Sequence, residues 1–198
     1  MKERPLVLLL GDSIRMSYQP QVKVTLETRG VATVVGPKEN CRYSAYTLER
    51  LDDWLDELGT PDVIHWNNGL HDVGHDPPRT PVQFPIEEYR HNLEQIIARL
   101  SKTGARIIFA TSTPVHPDRP FRDDAWSWVN EEIDAYNRTA VKIMKTHGIP
   151  VNDLHGLIVV DPEAFLAEDQ LHLNAEGQKA CARAVVESIE KNLSCVSE

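Results

Sequence analysis

The chain has 198 residues, 41% of them hydrophobic and 26% charged, which suits one compact domain with a sizeable core and would be crowded for two. A formal net charge of -9 argues against the basic face that a nucleic-acid binder presents to phosphates. The apolar run Leu6 to Leu10 is too short for a signal-peptide core or a membrane span.

In chain order, apolar bursts alternate with amphipathic stretches. Leu6 to Leu10 reads as a buried strand and Tyr18 to Thr28 as a helix. A strand at Ala32 to Val35 and a helix at Tyr46 to Leu58 follow, then a strand at Val63 to Trp66 and a helix at Ile86 to Ser101. Arg106 to Ala110 is a fourth strand, Ala125 to His147 a helix, Val151 to Asn152 a fifth strand and Ala175 to Asn192 a last helix. Gly30, Gly59, Gly104 and Gly148 fall where each helix stops before a strand. Strands joined by crossover helices predict an α/β fold with a five-stranded parallel sheet, in one domain spanning residues 1–198.

The segments after the strands are longer and polar: Gly11 to Ser17, Gly36 to Ser44, Asn67 to Pro85 and Thr111 to Asp124. Ligands bind at the carboxyl ends of the strands in such sheets, so these loops are expected to form the site. Pro77, Pro78, Pro81 and Pro85 mark an irregular surface loop between Asp76 and Pro85, a structural lid or a wall of the site. Cys41, Cys181 and Cys195 form an odd set without a CxxC pair, which suggests neither a disulfide framework nor a zinc knuckle. With nothing that directs export, a cytoplasmic protein is expected.

Gly11-Asp12-Ser13 directly follows the first strand, which puts the Ser13 hydroxyl on a sharp turn at the sheet's carboxyl edge. Ser13 or Asp12 could serve there as a helix cap, and Ser13 equally as a nucleophile. The second reading gains from Asp169-Gln170-Leu171-His172, just before the last helix. An Asp and a His three apart on one turn can reach each other. The carboxylate then accepts from one imidazole nitrogen and leaves the other to take a serine proton.

With these two motifs in this order, the chain resembles the SGNH hydrolase superfamily, the GDSL esterases and lipases, over nearly its whole length. Gly11-Asp12-Ser13-Ile14 is similar to the family's first block and Asp169 to His172 to its last, DxxH. The resemblance implies a three-layer α/β/α, flavodoxin-like fold and a hydrolase of small esters without metal or organic cofactor. Its Ser13, His172 and Asp169 act as nucleophile, base and orienting acid through an acyl-enzyme. It also implies an oxyanion hole made from the N–H of Ser13, a glycine N–H and an asparagine side chain. Here the sequence departs from the family. The glycine's place falls at Cys41, within Glu39-Asn40-Cys41-Arg42, and Asn40 competes with it as a loop-shaping residue. Gly69-Leu70-His71-Asp72 aligns with the family's GxND and puts His71 where the asparagine stands, with Asn68 as the alternative donor.

Other residues carry weaker signals. His71 and His75, with Asp72 and Asp76, would resemble a metal face on a helix, but Gly74 and the prolines point to a loop. His116 is either a substrate contact or a solvated loop residue. Trp126 and Trp128 cannot both face the core, so one lines a cleft or a subunit contact. Arg15, Arg119 and Arg122 are anion contacts or ordinary surface charges. The absence of a long apolar lid favours short acyl groups, including acetyl esters on sugars. The expected substrate is a small-molecule ester, with no nucleic-acid or membrane partner; a thioesterase or lipase of the same superfamily, or a non-catalytic sugar- or acyl-binding protein on the same fold, is the alternative reading, and the residues do not specify an oligomeric state.

Overall fold

The computed structural model describes residues 4–75, 82–119 and 126–194. Five parallel strands, β1 (Leu6–Leu10), β2 (Thr33–Val35), β3 (Val63–Trp66), β4 (Arg106–Ala110) and β5 (Val151–Asn152), lie in the order β2-β1-β3-β4-β5. β1 and β3 are buried almost throughout, because helices cover both faces of the sheet and leave no solvated side to alternate toward. On one face α1 (Ser13–Thr28) packs on α8 (Ala175–Ser194). On the other, α2 (Ser44–Leu58) packs on α4 (Ile86–Leu100), and α4 on α5 (Asn130–Thr146). The three-layer α/β/α arrangement is therefore present, and no helix among the described residues is long and apolar enough to cross a membrane.

The strand order reverses between β1 and β3. Connections from these neighbours leave to opposite sides and open a crevice at their carboxyl ends. Ser13 follows β1, and the short helix α3 (Leu70–Val73), which carries His71, follows β3. The topology alone brings these two loops face to face.

The helices depart from the sequence expectation at several points. α1 begins at Ser13 rather than Tyr18, since the Asp12 carboxylate accepts the Ile14 N–H at 2.9 Å and caps the helix at once. The helix expected from Ala125 starts at Asn130, because Ser127 is held in an antiparallel bridge to His75; Ala125 lies outside the described residues. α6 (Leu154–Val159) and α7 (Pro162–Phe165) were not expected. Each starts on an aspartate cap, Asp153 accepting from Gly156 and Asp161 from Ala164.

Candidate active site

Gly11 makes the turn out of β1 so tightly that a Cβ there would sit 2.8 Å from the Arg15 Cβ, at a φ of +158°. Asp12 then takes the capping role, which leaves the Ser13 hydroxyl free of it. Ser13 is half-buried, and its Oγ lies 3.0 Å from His172 Nε2. Across the ring, His172 Nδ1 is 2.7 Å from Asp169 Oδ2. A donor at Nδ1 leaves Nε2 as an acceptor toward the serine, the tautomer that a general base needs. Asp169 Oδ1 also accepts the backbone N–H groups of Leu171 and His172, at 3.2 and 2.9 Å. Burial pushes the Asp169 carboxyl up, but the hydrogen bonds and the charge of His172, with the Leu171 N–H, outweigh it and hold the group below its usual value.

The segment bearing Asp169 and His172 is tied at several points. Ala167 N–H donates to His172 O at 2.7 Å, Leu166 and Leu173 form a bridge, and Asn174 Oδ1 caps α8 through Glu176 and Gly177. His116 does not reach the serine. Its Nε2 meets Glu163 at 3.0 Å, and its backbone pairs with Gln170. Arg119 is a strut, donating to Leu166 O and Ala167 O and pairing with Glu163 at 2.6 Å. Arg122 lies outside the described residues, as do Asp76, Pro77, Pro78, Pro81 and Cys195.

Arg15 is a buried tie, only 2% exposed, and not an anion contact. Its guanidinium donates to Gly11 O, to Pro37 O at 3.0 Å, to Glu39 O at 2.9 Å and to Gln19 Oε1 at 2.8 Å. It thereby fastens the loop before α2 to the turn that carries Ser13. Nothing in the local sequence marks this role, since a helical arginine next to a polar turn usually faces water.

The residues expected around an oxyanion are placed differently from one another. As the first residue of α1, Ser13 has an N–H with no intrahelical acceptor. The Cys41 N–H, expected in the hole, donates instead to Gly11 O at 3.1 Å. Asn40 shapes the loop, its Oδ1 accepting the Arg42 N–H at 2.7 Å and fixing Arg42 at a φ of +52°. Asn68 also points elsewhere. Its amide donates to Arg42 O at 3.1 Å and Thr47 Oγ1 at 3.0 Å, while its Oδ1 accepts from Trp66 Nε1 at 2.6 Å. His71 lies near enough to Asp12, Arg42 and His172 to feel their charges. Burial above all, with Arg42 and His172, holds its imidazole below the usual value, against Asp12, which favours the charged form.

His75 and Asp72, read from the sequence beside His71 as a metal face, have separate duties. His75 Nε2 meets Glu132 at 2.6 Å, and Asp72 is buried against the start of α2, accepting the Ser44 N–H and hydroxyl. Cys41 is buried, and burial raises its thiol above the usual value despite the nearby Arg15, which makes it a poor nucleophile.

A serine, a histidine and an aspartate are chained by hydrogen bonds at the switch point of a parallel sheet, an arrangement with the geometry that serine-type hydrolysis requires. The sequence profile of the GDSL-like Lipase/Acylhydrolase family matches residues 9–180, and the chain belongs to that family. It is an ester hydrolase of the SGNH kind. Among solved structures it is similar to the acetyl xylan esterase AlAXEase, with a TM-score of 0.76 and 18% identity over 93% of this chain and 99% of that one. The lipase/acylhydrolase from Enterococcus faecalis gives 0.75 and 22% over 95% and 96%. A variant of an acetyl xylan esterase from Geobacillus stearothermophilus gives 0.76 and 18% over 96% and 97%. At such identities the likeness is one of fold. No curated protein sequence matches the chain significantly.

Proposed function

We propose that the protein hydrolyses small, short-acyl esters, acetyl groups on carbohydrates foremost, through Ser13, His172 and Asp169. The observation that carries this reading is the unbroken chain from Ser13 Oγ to His172 Nε2 at 3.0 Å and from Nδ1 to Asp169 at 2.7 Å. His172 takes the Ser13 proton as the oxygen attacks the ester carbonyl, and Asp169 steadies the imidazolium that forms. The same proton passes to the leaving alcohol. Water, deprotonated by His172, then releases the acid from the acyl-enzyme.

The oxyanion is met by the Ser13 N–H and a ring N–H of His71, each such donor being typically worth about 2.7 to 4 kcal/mol in the transition state. The carbohydrate preference is supported by the acetyl xylan esterases among the structural neighbours. The two free, buried cysteines among the described residues, Cys41 and Cys181, accord with a reducing, cytoplasmic setting.

The test is a panel of acetylated xylo-oligosaccharides, thioesters and p-nitrophenyl esters of increasing chain length, assayed with wild type and Ser13→Ala. Hydrolysis and fluorophosphonate labelling are expected to vanish in Ser13→Ala, and acetyl esters to be turned over best. Undiminished turnover in the variant would refute the nucleophile, and a preference for eight carbons or more would refute the acyl-chain reading.

A further inference from the structure

An imidazole is harder to aim than a carboxamide. It has two ring nitrogens, two neutral tautomers and a charged form, whereas an amide presents the same N–H at every pH. A histidine that serves as an oxyanion donor therefore needs its rotamer and its protonation state fixed by its surroundings.

The segment Trp126 to Trp128 packs against it through the Trp126 ring. The Trp126 ring stands edge-to-face with the His71 imidazole, centroids 5.8 Å apart at 74°, and lies stacked on Trp128 at 5.7 Å and 14°. Three ties fasten this segment across α3. Trp128 Nε1 donates to Leu70 O at 2.7 Å, His75 N–H donates to Ser127 O at 2.8 Å, and Ser127 N–H returns to His75 O at 3.0 Å. Gly74 makes room for it: a Cβ there would lie 2.9 Å from Trp128 Nε1 and 3.0 Å from two carbons of the Trp126 ring.

Charged groups reach His71 from each neighbouring element: Asp12 from the nucleophile turn, Arg42 from the loop before α2, and His172 from the loop before α8. During acylation His172 itself becomes an imidazolium. A second imidazolium at His71 would repel it, so the useful form of His71 is the neutral one.

We propose that Trp126 is a positioning residue for His71, holding the imidazole in one rotamer and away from water so that it meets the oxyanion as a neutral N–H donor. The proposal rests on the reading of His71 as an oxyanion donor and deepens it. Trp126 does not touch the reacting atoms. Its effect passes through the ring it packs against.

The experiment combines Trp126→Ala and Trp126→Phe with His71→Asn, which supplies an amide that neither titrates nor needs shielding. Steady-state hydrolysis of p-nitrophenyl acetate is followed against pH. The His71 ring is followed by NMR in the Ser13→Ala background. Trp126→Ala is expected to move the His71 titration upward in pH and to lower kcat about tenfold, part of the roughly 10²–10³ that loss of an oxyanion donor costs. KM should stay within about twofold, as for a loss confined to the transition state. Trp126→Phe should restore most of both. In the His71→Asn background the same Trp126→Ala change should cost less than about twofold, because the coupling it breaks is absent.

Gly74→Ala, which pushes both indoles off α3 without removing them, is a second variant expected to shift both readouts the same way. An unmoved His71 titration, or equal losses in the two backgrounds, overturns the proposal. Full kcat in His71→Ala with Trp126 intact would instead overturn the oxyanion reading beneath it, so the two failures are distinct.

Discussion

Gln170 and His116 hold one another by two hydrogen bonds: the His116 N–H donates to the Gln170 carbonyl at 2.9 Å, and the Gln170 side-chain amide donates to the His116 carbonyl. Gln170 sits between Asp169 and His172, buried and at a φ of +70°, a left-handed conformation uncommon for a residue with a Cβ. The loop after β4 thus braces the turn that carries His172. Gln170→Ala is expected to lower stability by about 1–3 kcal/mol, the cost of an unpaired buried acceptor. Its kcat should fall more than its KM rises. Urea denaturation and steady-state kinetics check both, and an unchanged kcat would show that the brace does not position His172.

Asp169→Asn should keep the fold and lose the tautomer. An amide facing Nδ1 presents a donor as readily as an acceptor, so the ring can turn its protonated nitrogen toward Ser13. In other serine hydrolases this change costs about 10⁴ in kcat, and a loss of about 10³–10⁴ is expected here. Single-turnover acylation is the measurement. A loss under about tenfold would mean that Asp169 does not orient the base.

Arg15 has no carboxylate partner among its hydrogen bonds and is held by the carbonyls of Gly11, Pro37 and Glu39 and by Gln19. Arg15→Met fills similar space but takes the guanidinium donors from the Pro37 and Glu39 carbonyls and leaves Gly11 O only the Cys41 N–H, and is expected to cost about 3 kcal/mol or more. Arg15→Lys should recover only part of this, since one ammonium cannot span acceptors that a planar fork reaches together. Chemical denaturation of the two variants tests the order. Equal stability of Arg15→Met and wild type would dismiss the tie.

Two buried groups should give opposite pH dependences. His65, on β3, accepts from Asn152 Nδ2 at 3.1 Å, and burial lowers its pKa to about 4 from 6.5. Its folded form binds fewer protons than the unfolded chain between those values, so its contribution is full above pH 6.5 and is lost as pH falls toward 4. Burial raises Asp72 to about 7 from 3.8, despite the hydrogen bonds from Ser44. Its contribution runs the other way, present at low pH and lost as pH rises through 7. Between about pH 4 and 6.5 the two oppose. Asp72→Asn is therefore expected to lose stability on acidification through this window, and His65→Gln to gain it, each by up to about 1.4 kcal/mol per pH unit. Urea midpoints against pH read the slopes. Parallel slopes in the two variants would refute the assignment.

Much was legible before any coordinates. The strands announce themselves because a sheet covered on both faces needs unbroken apolar runs, as at Leu6–Leu10 and Arg106–Ala110. Gly11-Asp12-Ser13 and Asp169 to His172 carry a local geometry, a turn and an Asp–His pair, that a few neighbouring residues suffice to specify. What stayed hidden depends on partners distant along the chain. Trp126 to Val129 scans as helix, yet Ser127 pairs with His75, and only the folded chain offers that edge. The direction of an amide is likewise invisible in a sequence: Cys41 N–H turns to Gly11 O, and Asn68 to Arg42 and Thr47.

The sequence by itself determined the alternation of elements, hence an α/β sheet, and the residue types of the proposed nucleophile, base and acid, because each is written in a local run of residues. Only the tertiary structure decided that Ser13 and His172, 159 positions apart, meet at 3.0 Å, and that the Asn68 amide is engaged by Arg42 and Thr47. Hydrogen-bond direction and distance arise where remote segments pack, and no local pattern encodes which of two neighbouring donors the packing will spend elsewhere.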